Sequence, residues 1–286
     1  MTRPITSELI ARTGTALAAD GWRYTRRQLY YATCAAAETP RRSPGYGQIA
    51  LGALLGLVAL ILLPIRPAAA VVGVFAAVAI ALGLMTRWTH RPAAGRVLAV
   101  SFAEFETLLA GDDAPTGLVT APSDAPAAET PARVVVCDTA DNAAAVAANV
   151  HNAGLPAVEV VTADAIPPGT PSVIALHDAS PRGCALPLEI ADSGVAVVDA
   201  GLRPASVDGH DVQVLEGAPA RLPRDLMFAL TEHEEDWLRS GRRVELAVLP
   251  PPQLMRLVSE AVERAGAETT AGLAAAGVAA APPSLP

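Results

Sequence analysis

Apolar residues run almost unbroken from Gln48 to Leu63 and again from Ala68 to Met85, and no charged side chain falls inside either run. Each run, with its flanks, approaches the roughly 20 residues that an α-helix needs to cross the hydrocarbon of a bilayer. Pro64-Ile-Arg-Pro67 between them reads as a tight turn, so the pattern predicts an antiparallel two-helix transmembrane hairpin over 48–87. Gly52, Gly56, Gly73 and Gly83 offer small surfaces for close helix contact. The competing reading is a helical hairpin buried in a protein core. Arginine sets the orientation. Arg41 and Arg42 precede the first run, Arg87, Arg91 and Arg96 follow the second, and the turn holds only Arg66. The excess of positive charge at both ends puts both termini on the cytoplasmic side of an inner membrane. Trp88 stands where an interfacial aromatic is expected.

Outside the hairpin the pattern changes period. Helical spacing predicts helices over Thr6–Asp20 and Thr25–Glu38, the second N-capped by Thr25, which makes residues 1–47 a short helix-turn-helix-like arm. A third short helix is expected at Ser101–Ala110, within a segment 88–131 that ends in an Ala-, Pro-, Asp- and Thr-rich linker. From 132 to 266 strands and helices alternate. Arg133–Cys137, Ala157–Val161, Ser172–Leu176 and Gly194–Val198 read as strands, and Asp141–Ala153 as a helix after the first. Helices follow at Pro223–Ser240 and Pro251–Gly266, with a short strand at Arg243–Val248 between them. The continuous apolar strands imply an α/β layer with a mainly parallel sheet flanked by helices. Residues 267–286 are Ala- and Pro-rich and are expected to form a disordered tail.

Charge divides unevenly along the chain. Residues 1–47 carry seven arginines against Glu8, Asp20 and Glu38, while the whole chain has a net charge of −8. A basic arm beside a membrane suits anionic lipid or nucleic acid, and the acidic remainder argues against a broad nucleic-acid surface there. Cys34, Cys137 and Cys184 are too far apart for metal-ligand spacing and read as structural thiols in a reducing compartment. No glycine-rich phosphate loop follows any strand, which disfavours a nucleotide fold.

Two groups of residues could carry chemistry. Asp138 ends the first expected strand and Asp178 the third, and ligands of parallel α/β sheets gather at the carboxyl ends of strands. Carboxylates there either share a hard cation such as magnesium or cap a following helix or turn. The second group is Tyr24-Thr-Arg-Arg-Gln-Leu-Tyr-Tyr31, in which a tyrosine beside arginines could attack a phosphodiester held by the guanidinium groups. The same residues also suit an interfacial aromatic cluster at a membrane. His151 and His177 read as core or surface histidines, and Thr231-Glu-His-Glu-Glu-Asp236 as the solvated first turn of a helix.

Together these stretches resemble one family. Thr25-Arg-Arg-Gln-Leu-Tyr-Tyr31 resembles the tyrosine motif of the topoisomerase VI A subunit and its meiotic double-strand-break relatives. Asp178-Ala-Ser-Pro-Arg-Gly183 resembles the Asp-x-Asp-Pro-x-Gly motif of that family's Toprim domain, and Gly201-Leu-Arg-Pro-Ala-Ser-Val207 a Gly-Leu-x-Pro-Ser-Asp stretch. The resemblance implies a Toprim-like sheet over 132–266 and a membrane-anchored protein acting on DNA. It makes Tyr31 the nucleophile, gives Arg26 or Arg27 the phosphate, and assigns Mg2+ to Asp138 and Asp178, with Ser180 a weak neutral ligand beside them. A homodimer and a second subunit are implied with it. Ser180 departs from the pattern, because a neutral hydroxyl replaces the second acid, and a binding module that has lost catalysis is the alternative.

Overall fold

The computed structural model describes residues 4–38, 46–61, 64, 66–89, 98, 100–110, 115–119, 133–155, 157–207 and 212–275. The chain begins with α1 (Ser7–Leu17) and α2 (Arg26–Ala37), then enters α3 (Tyr46–Ile61) and α4 (Arg66–Thr89) and returns through α5 (Phe102–Leu109). The α/β part runs β1 (Arg133–Cys137), α6 (Ala140–Ala147), β2 (Val158–Thr162), β3 (Ser172–Leu176), α7 (Pro181–Asp192), β4 (Ala196–Asp199) and α8 (Pro204–Val207). It closes with β5 (Leu215–Glu216), α9 (Arg224–Ala229), α10 (Glu232–Arg239), β6 (Arg242–Arg243) and α11 (Pro251–Ala275).

β1 to β4 form one parallel sheet in the order β2-β1-β3-β4. β1 and β3 are central and nearly all valine, isoleucine, leucine and alanine, so both of their faces are covered. Val135, Cys137, Ile174 and Leu176 point into the larger core, which contains Leu254, Met255 and Val258 of α11. Val134, Val136, Val173 and Ala175 point the other way, onto Leu186 and Ile190 of α7. The alternation puts helices on both faces of the sheet. The order has a consequence for function. From β1 the chain moves outward to β2 and then crosses back to β3 on the other side, so the β1/β3 tips border the switch-point crevice where ligands of open α/β sheets bind.

The N-terminal helices are not a separate arm. Ile10, Leu17, Leu29, Tyr30, Phe105 and Leu109 share a second core, so α5, from beyond the hairpin, packs with α1 and α2. The Tyr30 hydroxyl donates to the Val100 carbonyl at 2.8 Å, and its ring meets Phe102 edge-on at 5.3 Å. The chain therefore leaves for α3 and returns from α4 at neighbouring helices.

α3 and α4 pack against each other as the expected hairpin, but the span does not follow. Among the described residues no helix is long and apolar enough to cross a membrane. α3 has 16 residues, a rise of about 24 Å, less than the roughly 30 Å of hydrocarbon in a typical bilayer. The close contact is at Gly52, where a Cβ would lie 2.9 Å from the Ala76 carbonyl oxygen, whereas Gly56 and Gly73 face open space. Arg41, Arg42, Arg91, Arg96, most of the 111–131 linker and the side chains of Arg66, Arg87 and Trp88 lie outside the described residues.

Other boundaries also move. α7 was not anticipated at all. The expected Pro223–Ser240 helix is two helices, because Thr231 starts a new one with a capping box to Glu234. Of the Arg243–Val248 strand only Arg243 pairs with β5, together with Arg242 just before it, and Leu246–Val248 is a 3-10 turn. α11 continues to Ala275, so the tail expected from Ala267 starts as helix.

Candidate functional site

Asp138 and Asp178 converge at the β1/β3 crevice, and one side chain joins them. Asn142, four residues after Asp138 in the first turn of α6, donates from Nδ2 to Asp138 Oδ1 at 2.7 Å and to Asp178 Oδ1 at 3.1 Å. Thr139 caps α6 and thereby sets that turn. The backbone N–H of Asp178 donates to Asp138 Oδ2 at 2.9 Å, and that of Leu246 to Asp178 Oδ1 at 2.6 Å. Leu246 reaches the site because Val244 exchanges backbone hydrogen bonds with Ala179, which lays residues 244–246 across the tip of β3. Burial, then the Asp138 charge, pushes the Asp178 carboxyl up to about 7, against the pull of these donors.

No known protein family, curated protein or solved structure matches the chain.

The tyrosine motif meets the same cluster from α2. Thr25 caps α2 in a capping box with Gln28, and its hydroxyl donates to Asp141 Oδ2 at 3.0 Å. Arg27 Nη1 bonds Glu245 Oε2 at 2.8 Å while its guanidinium lies 4.8 Å over the Phe102 ring. The Tyr31 hydroxyl stands beside Glu245, and the residue is only 2% exposed. Burial and then Glu245 raise the phenol far above its ordinary value, which disfavours the phenolate a nucleophile needs. Arg26 points elsewhere, 3.7 Å from Glu106 on the surface. Arg27, Tyr31, Asp138 and Asp178 thus come together within one chain, and Arg26 stays apart.

The donor set around the acids does not fit magnesium. Ser180 Oγ accepts the Gly183 N–H at 3.0 Å as the N-cap of α7, so it serves its own helix. Both oxygens of Asp138 and one of Asp178 already accept N–H bonds, and an ion needing several oxygen ligands would meet N–H donors instead. Among the described residues no group of three or more His, Cys, Asp or Glu side chains could hold a metal ion.

A second network sits at the tip of β4. His177, fully buried, places Nε2 at 3.0 Å from Asp199 Oδ1 and Nδ1 at 2.9 Å from the Asp178 carbonyl. Both partners can only accept, so the ring satisfies both when it carries two protons. Burial alone would lower the imidazole, but the bonds to Asp199 and to the Asp178 carbonyl outweigh it and the net shift is upward. Arg203 completes the group, with Nε at 3.2 Å from Glu234 Oε1 and Nη1 at 3.6 Å from Asp199 Oδ2. The Gly201–Val207 stretch therefore supports the β3 and β4 tips.

Asn142, Glu245, Asp199 and the Leu246 N–H were not anticipated. Only Asn142 left a usable signal, as an amide one helical turn beyond a strand-tip acid. The two raised groups predict a pH dependence. A folded-state value above the unfolded one contributes stability that is complete below the unfolded value and fades as pH rises through the folded one. For Asp178 that window runs from the usual carboxylate range up to about 7, and for His177 it begins at the ordinary histidine value and extends upward. Thermal stability should therefore fall from pH 6 to pH 8. Asp178→Asn should remove most of the carboxylate share, on the order of 2 kcal/mol, by raising stability at pH 8 but not at pH 5. Equal melting shifts at both pH values would refute it.

Proposed function

We propose that this chain is a membrane-anchored α/β binding module of Toprim-like layout, whose tyrosine and carboxylates dock its N-terminal helices instead of cleaving DNA. The observation that carries this reading is the burial of Tyr31, only 2% exposed beside Glu245, which disfavours its ionisation. The switch-point crevice is occupied by the chain's own Asn142 and Leu246 N–H groups. The anchor is the α3–α4 hairpin. Leu54, Leu57, Leu60, Ile61, Val74 and Phe75 all point outward, an apolar surface that water covers poorly and acyl chains cover well. Arginines on both flanks favour insertion from the cytoplasmic side. The net charge of −8 suits a basic protein partner better than phosphate-rich nucleic acid.

The wild type should float with liposomes, and a variant lacking 46–89 should stay in the soluble fraction. Incubated with Mg2+ and supercoiled DNA, the wild type should yield no phosphotyrosyl adduct. A second reading, DNA cleavage of the topoisomerase VI A type by a homodimer with a further subunit, is favoured by one fact: Arg27 and Tyr31 share Glu245 beside the strand-tip acids. An adduct formed by the wild type and lost in Tyr31→Phe would establish that reading and overturn the first.

A further inference from the structure

A cavity of about 370 Å³ lies between α1, α2 and residues 212–253, and Tyr31 is part of its lining. Its volume is in the range of small-molecule sites. Leu17, Ala32, Ala35, Val212, Val248 and Leu249 make an apolar wall, and no charged residue lines it among the described residues. Its polar side chains are Gln28, Gln213, Tyr31 and the exposed Gln253 at its edge. Gln28 is spent at both ends, accepting from the Thr25 N–H and donating to the Leu249 carbonyl. Gln213 is spent at one end only. It is 4% exposed, its Nε2 donates to the Tyr31 carbonyl at 3.2 Å, and that bond fixes Oε1 as the opposite terminus. Among the described residues Oε1 has no partner. Oε1 is not sealed from water, so a ligand hydroxyl that donates to it takes the place of a hydration bond at the cavity wall.

We infer that this cavity binds a neutral single-chain amphiphile with a terminal hydroxyl, a lipid alcohol, whose O–H donates to Gln213 Oε1 while its chain lies along the α2 wall. The uncharged lining excludes a carboxylate or phosphate head, which would be desolvated without a counter-charge. The cavity is also near the proposed anchor along the chain. Eight residues separate the end of α2, which supplies Ala32 and Ala35, from the start of α3, a reach of about 30 Å at most. The inference rests on the membrane reading only for the source of the ligand.

The test is photolabelling of the full-length chain in lipid nanodiscs with a diazirine-bearing dodecanol, and with the matching dodecanoic acid as the charged comparator. The alcohol should label peptides within 28–35 and 212–253, and unlabelled dodecanol should compete it away. Ala35→Phe, which fills the wall, should cut that labelling at least tenfold, and Gln213→Leu should cut it several-fold and abolish the preference for alcohol over acid. Unchanged melting temperatures certify both variants as folded. Cavity labelling that persists in Ala35→Phe, or an acid that labels as well as the alcohol, overturns the inference. Labelling of α3 and α4 alone also overturns it but leaves the anchor standing. Cavity labelling without hairpin labelling supports the site and removes the anchor.

Discussion

Asn142→Asp should destabilise the fold by roughly 3–5 kcal/mol at pH 8 and by clearly less at pH 5. Asn142 is buried, and its one amide nitrogen is the only side-chain donor that bridges Asp138 and Asp178 among the described residues. The substitution keeps the shape, removes the N–H groups and sets a third carboxylate against the pair. At pH 8 Asp178 is largely ionised, so negative charges would face one another in a poorly hydrated crevice. At pH 5 Asp178 holds its proton and can donate to the new neighbour, which recovers part of the loss. In detergent the melting temperature should drop by about 10 °C at pH 8. Asn142→Leu, which removes the donor without adding charge, should fall between wild type and Asn142→Asp at pH 8. A drop that is the same at both pH values would mean that charge repulsion does not govern the crevice.

The parts of this architecture that show in the sequence are those written in side-chain hydropathy. β1 and β3 coincide with the apolar runs Arg133–Cys137 and Ser172–Leu176, because central parallel strands are buried on both faces and leave no alternation to misread. β4 begins later than its apolar run, at Ala196, because Gly194 takes a positive φ of 85° in the preceding turn. α7 was hidden by its own residues. Gly183 and Pro187 lie inside it, two residues that weigh against a helix in a local reading. Ser180 was drawn toward a metal by likeness to a motif, whereas its position directly before Pro181 is an ordinary N-cap. The strand-tip acids were legible for the same reason as their strands. The groups that hold them were not, since a backbone N–H such as that of Leu246 leaves no mark on the sequence, and it arrives only through the Val244–Ala179 pairing. Tyr31 illustrates the same limit: its motif was visible, but not that its phenol would be turned inward onto Glu245.

The tip of β4 should tolerate added volume nearly as poorly as the crevice tolerates added charge. A Cβ at Gly201 would fall on the Cγ, Cδ2 and Nε2 atoms of the His177 ring. The ring cannot swing aside, because one nitrogen is tied to Asp199 and the other to the Asp178 carbonyl, and it has no exposed surface to move into. Gly201 cannot withdraw either, since its N–H donates to Asp199 Oδ1 at 3.0 Å and the next residue's N–H to the His177 carbonyl at 2.8 Å. Gly201→Ala should therefore cost about 3 kcal/mol or more, the upper end for overpacking a rigid site. Relief should come from the other side of the contact. His177→Ala in the Gly201→Ala background makes room for the methyl group, so the double variant should be less destabilised than the two single changes add up to. Melting curves of the four proteins form the cycle. Strict additivity would mean that Gly201 and His177 do not press on one another, and it would also weaken the case for a fixed, doubly protonated imidazole joining β3 to β4.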